Sequence, residues 1–219
     1  MFEATLYIDF ITAWHVGSGL GDGPLADAIL ARDQDGLPVL PGRAVKGALR
    51  EGAWRLGRCR PDLQAAEEYF WGSRSLGVES NQPGRLAVSA AELPSALRQE
   101  LLSHPASVRE SFVQDMTCLQ SQTALSTRRT VVKHSLRTLE CGIPGMRFEA
   151  TLQVEALTVD SNWLCIYFKA VCAAIKGIGA HRSRGFGNCL VRFDGYSDTV
   201  LLPPLFPSEL FATAHGANA

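Results

Sequence analysis

Between residues 3 and 12 the chain alternates, with Ala4, Leu6, Ile8 and Phe10 on one side and Thr5, Tyr7 and Asp9 on the other. That is the period-two signature of a half-buried strand. The next stretch has glycine at every second position from Gly17 to Gly23 and predicts a flexible loop, and Asp35-Gly36 predicts a hairpin turn. After Pro41-Gly42 the period lengthens. Val45, Ala48, Leu49, Gly52, Ala53 and Leu56 fall in one arc, and Arg43, Lys46 and Arg50 share another beside Trp54. A helix of about 15 residues follows, with one packing face and one basic face.

Residues 58–84 are polar and glycine-rich around Tyr69-Phe70-Trp71-Gly72 and read as an irregular connection, followed by a short strand over 85–91. From 94 to about 145 the pattern is mixed, with a helix expected at 95–103 and no clear period afterwards, so this stretch reads as an insertion extending from the core. Alternation returns from Phe148 to Ala156. Asp160-Ser161 then caps a helix running to Lys176, on which Leu164, Phe168, Val171 and Ile175 recur at helical spacing, with Gly177 as its stop. Residues 188–193 form a last strand, and 203–219 a loosely held tail. Strand, helix, strand, insertion, strand, helix, strand is the order of the ferredoxin-like α+β fold, an antiparallel four-stranded sheet with helices on one side. One such domain is expected over 1–202. RRM-like sheets of this shape commonly bind single-stranded RNA, but fold alone does not license function.

Composition narrows the class. Of 219 residues 46% are hydrophobic and 20% charged, as in ordinary globular proteins. No window approaches roughly eighteen apolar residues, and the N-terminus lacks a basic flank before an apolar run. Neither a membrane span nor a signal peptide is expected, and a cytoplasmic location follows. The six cysteines include no C-x-x-C pair and the five histidines are dispersed, which argues for buried thiols over a zinc knuckle or a disulfide scaffold.

Net charge is -1, yet its distribution is uneven. Residues 1–40 carry Arg32 alone against six acids, whereas 41–60 carry six bases against Glu51 alone. A second basic cluster, Arg128, Arg129, Lys133 and Arg137, has no acid between 116 and 139. A third, Lys169, Lys176, Arg182, Arg184 and Arg192, has none between 161 and 193. Three basic patches suit a phosphate backbone, although charge runs are equally common as plain solvated surface.

Within the third patch, Gly177/Gly179 and Gly185/Gly187 bracket His181, Arg182, Ser183 and Arg184. Such a loop lets backbone approach a ligand while arginines and free N–H groups meet phosphate oxygens; the alternative is a tight connection rich in left-handed turns. No dinucleotide fingerprint, P-loop or nucleophile elbow fits, and neither His15 nor His134 has an obvious Ser or Cys partner. Asp22, Asp27, Asp33 and Asp35 are of the type that holds a divalent cation, but loop carboxylates at such spacing are mostly turn-formers.

Taken in order, Gly17-Ser-Gly19, Asp27 with Asp33, Gly36-Leu-Pro-Val-Leu-Pro-Gly-Arg-Ala-Val-Lys-Gly-Ala-Leu-Arg50, Phe70-Trp-Gly72, Gly84-Arg-Leu86 and Gly177-Ile-Gly179 through Ser183-Arg-Gly-Phe-Gly187 resemble the RAMP superfamily of CRISPR-associated proteins. The nearest resemblance is to the small backbone subunit of type III effector complexes. It implies a ferredoxin-like palm whose copies stack along CRISPR RNA beside other effector subunits, with a thumb, here about 94–145, wedging the guide–target RNA duplex. Lys46 and Arg50 would sit on guide phosphates, with Arg43 replacing a small hydroxyl residue of the family at the same turn. The loop from Gly177 to Gly187 would cradle RNA, and the segment around 116–143, with Arg128, Arg129 and Lys133, would supply the thumb. In active members a loop aspartate supports Mg²⁺-dependent cleavage of target RNA by its own 2′-hydroxyl, and the matching residue is Asp27. A non-catalytic capping or adaptor subunit, or a free-standing RNA-processing nuclease using His15 or His181, are the alternatives. Two departures stand out: Arg43-Ala44 in place of the family's small hydroxyl pair points toward a specialised paralogue, and Ala28-Ile29 in place of a polar or proline-containing turn leaves the orientation of the Asp27 carboxylate open.

Overall fold

Alternating burial builds the central sheet. In the computed structural model, which describes residues 1–23, 25–72, 83–124, 126–155 and 159–194, the elements follow in the order β1 (Phe2–Phe10), α1 (Gly42–Cys59), α2 (Gln64–Trp71), β2 (Leu86–Val88), α3 (Ser95–Ser103), α4 (Ala106–Asp115), β3 (Thr117–Gln122), β4 (Arg137–Gly142), β5 (Arg147–Val154), α5 (Ser161–Ala173) and β6 (Cys189–Phe193). The expected tail over 203–219 and Ala156 lie outside the described residues. β1 runs between β5 and β6, antiparallel to both, and β2 pairs with the far side of β5, giving the order β2-β5-β1-β6. With the insertion set aside, β1-α1-β2-β5-α5-β6 is the ferredoxin-like α+β arrangement.

One face of this sheet is dry. Leu6, Ile8 and Phe10 of β1, Phe148 and Leu152 of β5 and Val191 of β6 are buried beneath α1 and α5. The two helices approach closely at Gly52, where a Cβ would lie 2.6 Å from the Val171 carbonyl oxygen. The Asp160 side chain accepts the Trp163 amide at 3.1 Å, the N-cap read from sequence. α5 ends at Ala173 rather than at Lys176, and Gly177 bridges to Asn188 instead of closing the helix. On the opposite face Asp9 lies between Arg147 and Arg192.

The stretch expected to be an irregular connection is partly helical. A 3-10 turn at Pro61–Leu63 leads into α2, which buries Ala66, Tyr69 and Phe70 at helical spacing. Phe70 packs against Trp163, Tyr167 and Phe168 of α5 with ring centroids 5.4 to 6.3 Å apart. Burying rings of this size contributes about 2 kcal/mol or more each, enough to stabilise a helix too short to persist alone.

The insertion contains α3, as expected, and also α4 and an antiparallel hairpin, β3/β4, paired from Thr117↔Gly142 to Gln122↔Arg137. The glycine-rich segment after β1 is tied to this hairpin. Trp14 exchanges backbone hydrogen bonds with Gly142, and Ala28 bridges to Leu139. The turn at Asp35-Gly36 is present, with the Asp33 carboxylate accepting the amides of Asp35 and Leu37.

Candidate nucleic-acid interface

Each basic cluster of the sequence has a different fate. On α1, the Lys46 ammonium donates to the Leu86 carbonyl at 2.6 Å, and burial, followed by the Arg50 charge, holds its pKa below the usual lysine value. Arg50 donates to the Glu67 carboxylate at 2.6 Å and to the Gly72 carbonyl at 2.9 Å. Both side chains, expected on guide phosphates, therefore latch α1 to β2 and α2. Arg43 is exposed at the start of α1 and makes no ion pair among the described residues.

The glycine loop is built by backbone crowding. A Cβ on Gly179 would lie 2.4 Å from the His15 carbonyl oxygen, and one on Gly187 2.2 Å from that of Ile178. Both positions have positive φ, 103° and 70°. The amides of Ile178, Ala180 and Gly187 donate to Gly187, His15 and Ala13 carbonyls, so these three are engaged within the protein. Gly177 is similarly confined, since its Cβ would lie 2.6 Å from the Gly187 carbonyl oxygen. Only Gly185, in a left-handed turn with φ 86°, faces open space. Three glycines thus serve the tight connection, and the loop's outer edge presents Arg182, Ser183 and Arg184 to solvent. Arg182 donates to Glu51 and to the Gly177 carbonyl. Arg184 meets Gln122 of β3, a neutral partner.

That Arg184–Gln122 contact closes one side of a cleft of about 360 Å³ between the loop and the β3/β4 hairpin. Lys133, His134 and Arg137 line its hairpin wall, while His181 and Arg184 line its loop wall, with no carboxylate among the lining residues. The fold thus brings the second and third basic clusters together. Arg128 and Arg129 are exposed nearer the hairpin tip, where Arg129 adopts φ 59°. His181 also has positive φ, 57°, and its ring centroid is 6.4 Å from that of His15. Burial, then the Arg184 charge and His15, push the His181 pKa below the ordinary histidine value. Arg137 was visible in the second cluster. Gln122 carried no signal, because only its register opposite Arg137 places it there.

Asp27 lies along the edge of β4 opposite β3 and is not among the residues that line the cleft. Its amide donates to the Thr138 carbonyl at 2.8 Å and its carboxylate accepts the Thr138 amide at 2.7 Å, while the side chain stays exposed. Asp33 and Asp35 are held by Arg98 and are structural. No three His, Cys, Asp or Glu side chains cluster to hold a metal among the described residues. One exposed carboxylate suits a hard cation such as Mg²⁺ only where phosphate oxygens complete the coordination shell.

A family model described as the RAMP superfamily matches residues 7–190. A chain in the cryo-EM structure of the apo state of type III-B Cmr-beta superposes with a TM-score of 0.65 at 13% identity, covering 91% of this chain and 99% of that one. A chain in type III-B Cmr-beta bound to cognate target RNA gives 0.67 at 12% identity, covering 88% and 97%. At such identity the likeness is one of fold. No curated protein matches the sequence.

Proposed function

Because the chain belongs to the RAMP superfamily, we propose that it is a guide-RNA-binding subunit of a type III-like CRISPR effector ribonucleoprotein, working beside other effector subunits and further copies of itself. The observation that carries this reading is the cleft without acids between the glycine loop and the hairpin, lined by Lys133, Arg137 and Arg184. Phosphates attract such a cluster, and each one neutralised releases counterions. The Cmr-beta neighbour solved with cognate target RNA supports the same partner class. With a net charge of -1 the free subunit is a poor nonspecific polyanion binder, so tight binding depends on neighbours sharing one strand. RNA binding by the assembled complex tests this. Arg137→Glu with Arg184→Glu is expected to weaken it by about two orders of magnitude and flatten its salt dependence; unchanged binding overturns the reading.

Target cleavage is the finer part of the proposal. Asp27, with a divalent cation shared with RNA phosphates, would support attack by the target's own 2′-hydroxyl; the ion, when bound, supplies charge stabilisation at the leaving oxygen. The bond from the Thr138 amide favours a second reading, in which Asp27 only fastens the loop to β4 and the subunit is a scaffold or cap. Asp27→Asn separates them, since the amide oxygen still accepts from Thr138 but carries no charge. Loss of Mg²⁺-dependent cleavage with guide binding and thermal stability intact supports catalysis. Full cleavage by that variant supports the scaffold.

A further inference from the structure

Cys118 and Cys141 stand directly opposite each other in the β3/β4 ladder. Gly142 turns its N–H and C=O toward Trp14, and the Ile143 amide donates to the Met116 carbonyl at 3.1 Å. By alternation Cys118 and Cys141 are then a hydrogen-bonded pair, for which the Cα separation is about 5.5 Å. Disulfides span Cα separations of about 4.4–6.8 Å, and because their Cβ atoms stand about 3.5–4.5 Å apart, closer than in an open pair of this kind, closure draws the two strands together at this rung. Opposed residues also project from the same face. We propose that Cys118 and Cys141 are a thiol-oxidation site that closes into a reversible disulfide across the base of the hairpin.

The electrostatics agree with that placement, because burial and then a charge on Cys118 push the Cys141 thiol up to about 12. Access is unequal. Cys118 is half-buried and lines an open groove of about 440 Å³ with Gln114, Thr117 and Leu119, whereas Cys141 is fully buried. Cys118 is therefore the attacking group and Cys141 the resolving one. With a glutathione-type disulfide as oxidant, the Cys118 thiolate attacks one of its sulfurs and expels one thiolate. In the mixed disulfide Cys118 no longer carries charge; Cys141 then loses its proton, attacks the Cys118 sulfur and expels the second thiolate. Two electrons pass to the oxidant, and the two protons released by the cysteines end on the two small-molecule thiols. The remaining cysteines, Cys59, Cys165, Cys172 and Cys189, belong to α1, α5 and β6.

The cysteine rung shares its face with the Leu139–Gln120 and Arg137–Gln122 rungs. Oxidation would thus lock the strands that carry one wall of the basic cleft, whether or not that cleft binds RNA.

The test is to incubate the full-length protein with glutathione disulfide, alkylate free thiols, digest without reduction and map the peptides by mass spectrometry. The expected result is a Cys118–Cys141 cross-link that is lost with dithiothreitol and absent from Cys118→Ser. Melting temperature should rise by several degrees in the wild type only. Because Cys118 is half-buried, its serine variant should fold, and its unoxidised melting temperature checks that it does. A Cys118–glutathione adduct that never resolves, a cross-link to another cysteine, or two free thiols at full oxidant would each overturn the proposal.

Discussion

Arg182 in the glycine loop donates to the carboxylate of Glu51, in the middle of α1, across 131 residues of sequence. Glu51 also holds Arg55 at 2.6 Å, so one helix acid steadies two arginines. The charge on Arg182 is largely compensated, and that on Arg184 is not, since its partner is the neutral Gln122. Two arginines separated by Ser183 therefore differ in what they offer a phosphate. Arg184→Ala should weaken RNA binding about tenfold and reduce the salt slope by about one. Arg182→Ala should change affinity less than half as much on a logarithmic scale. Binding titrations at several salt concentrations decide it, and equal effects would refute the distinction.

Glu140 is the buried acid of the hairpin. Its carboxylate accepts the amide of Leu30 at 2.9 Å and pairs with Arg32, while its carbonyl accepts from the His15 ring at 2.7 Å. Glu140→Ala leaves the Leu30 amide without an acceptor in a buried place, at a cost of about 1–3 kcal/mol. Arg32 is one-third exposed and turns to water, which keeps the loss below that of a fully buried pair. Glu140→Gln retains an acceptor and should cost about half as much. Urea denaturation with an unchanged slope measures both.

The core strands and both palm helices were legible because each has one wet and one dry face, and a single period results. β3 and β4 were not. Leu119 is 58% exposed while Leu139, Glu140 and Cys141 are consecutive and buried, since the segment from Trp14 to Ala28 packs along β4. No alternation survives that arrangement. α2 was hidden for another reason: an eight-residue helix has too few turns to show a period, and the aromatic layer that stabilises it comes from α5. Lys46 and Arg50 read as a free basic face because their acceptors, Leu86, Glu67 and Gly72, lie 17 to 40 residues away. The basic cleft was legible as charge and not as place, because Arg137 and Arg184 meet only after the hairpin folds back on the loop.

The glycines of the loop should respond unequally to alanine. At Gly187 the added Cβ meets the Ile178 carbonyl oxygen at 2.2 Å with φ already positive, so Gly187→Ala requires the loop to move and should cost about 3 kcal/mol or more. At Gly185 nothing lies within 4 Å, and the cost should be only the left-handed backbone term, about 1–2 kcal/mol. Thermal melts of the two variants give the comparison. A Gly185→Ala loss as large as that of Gly187→Ala would mean that the outer edge of the loop is packed after all.

His181 sets a pH dependence whose sign can be worked out. Burial, then the Arg184 charge and His15, hold its pKa below the ordinary value of 6.5. Acidification adds a proton, and hence a positive charge, to a wall already lined by Lys133, Arg137 and Arg184. RNA phosphates favour that charged form, so affinity should rise as pH falls from about 7.5 to 5.5, by up to about tenfold. Stability of the RNA-free protein moves the other way. The unfolded histidine binds its proton more readily, so His181's contribution is full above pH 6.5 and declines as pH falls toward the depressed folded pKa. His134 lines the same cleft, so His134→Gln is the control, while His181→Asn tolerates φ 57° and removes the titration. Urea melts across that pH range should show the stability slope reduced in His181→Asn and kept in His134→Gln, and RNA titrations should show the affinity slope reduced in His181→Asn; an unchanged affinity slope in His181→Asn would assign the titration to the hairpin wall.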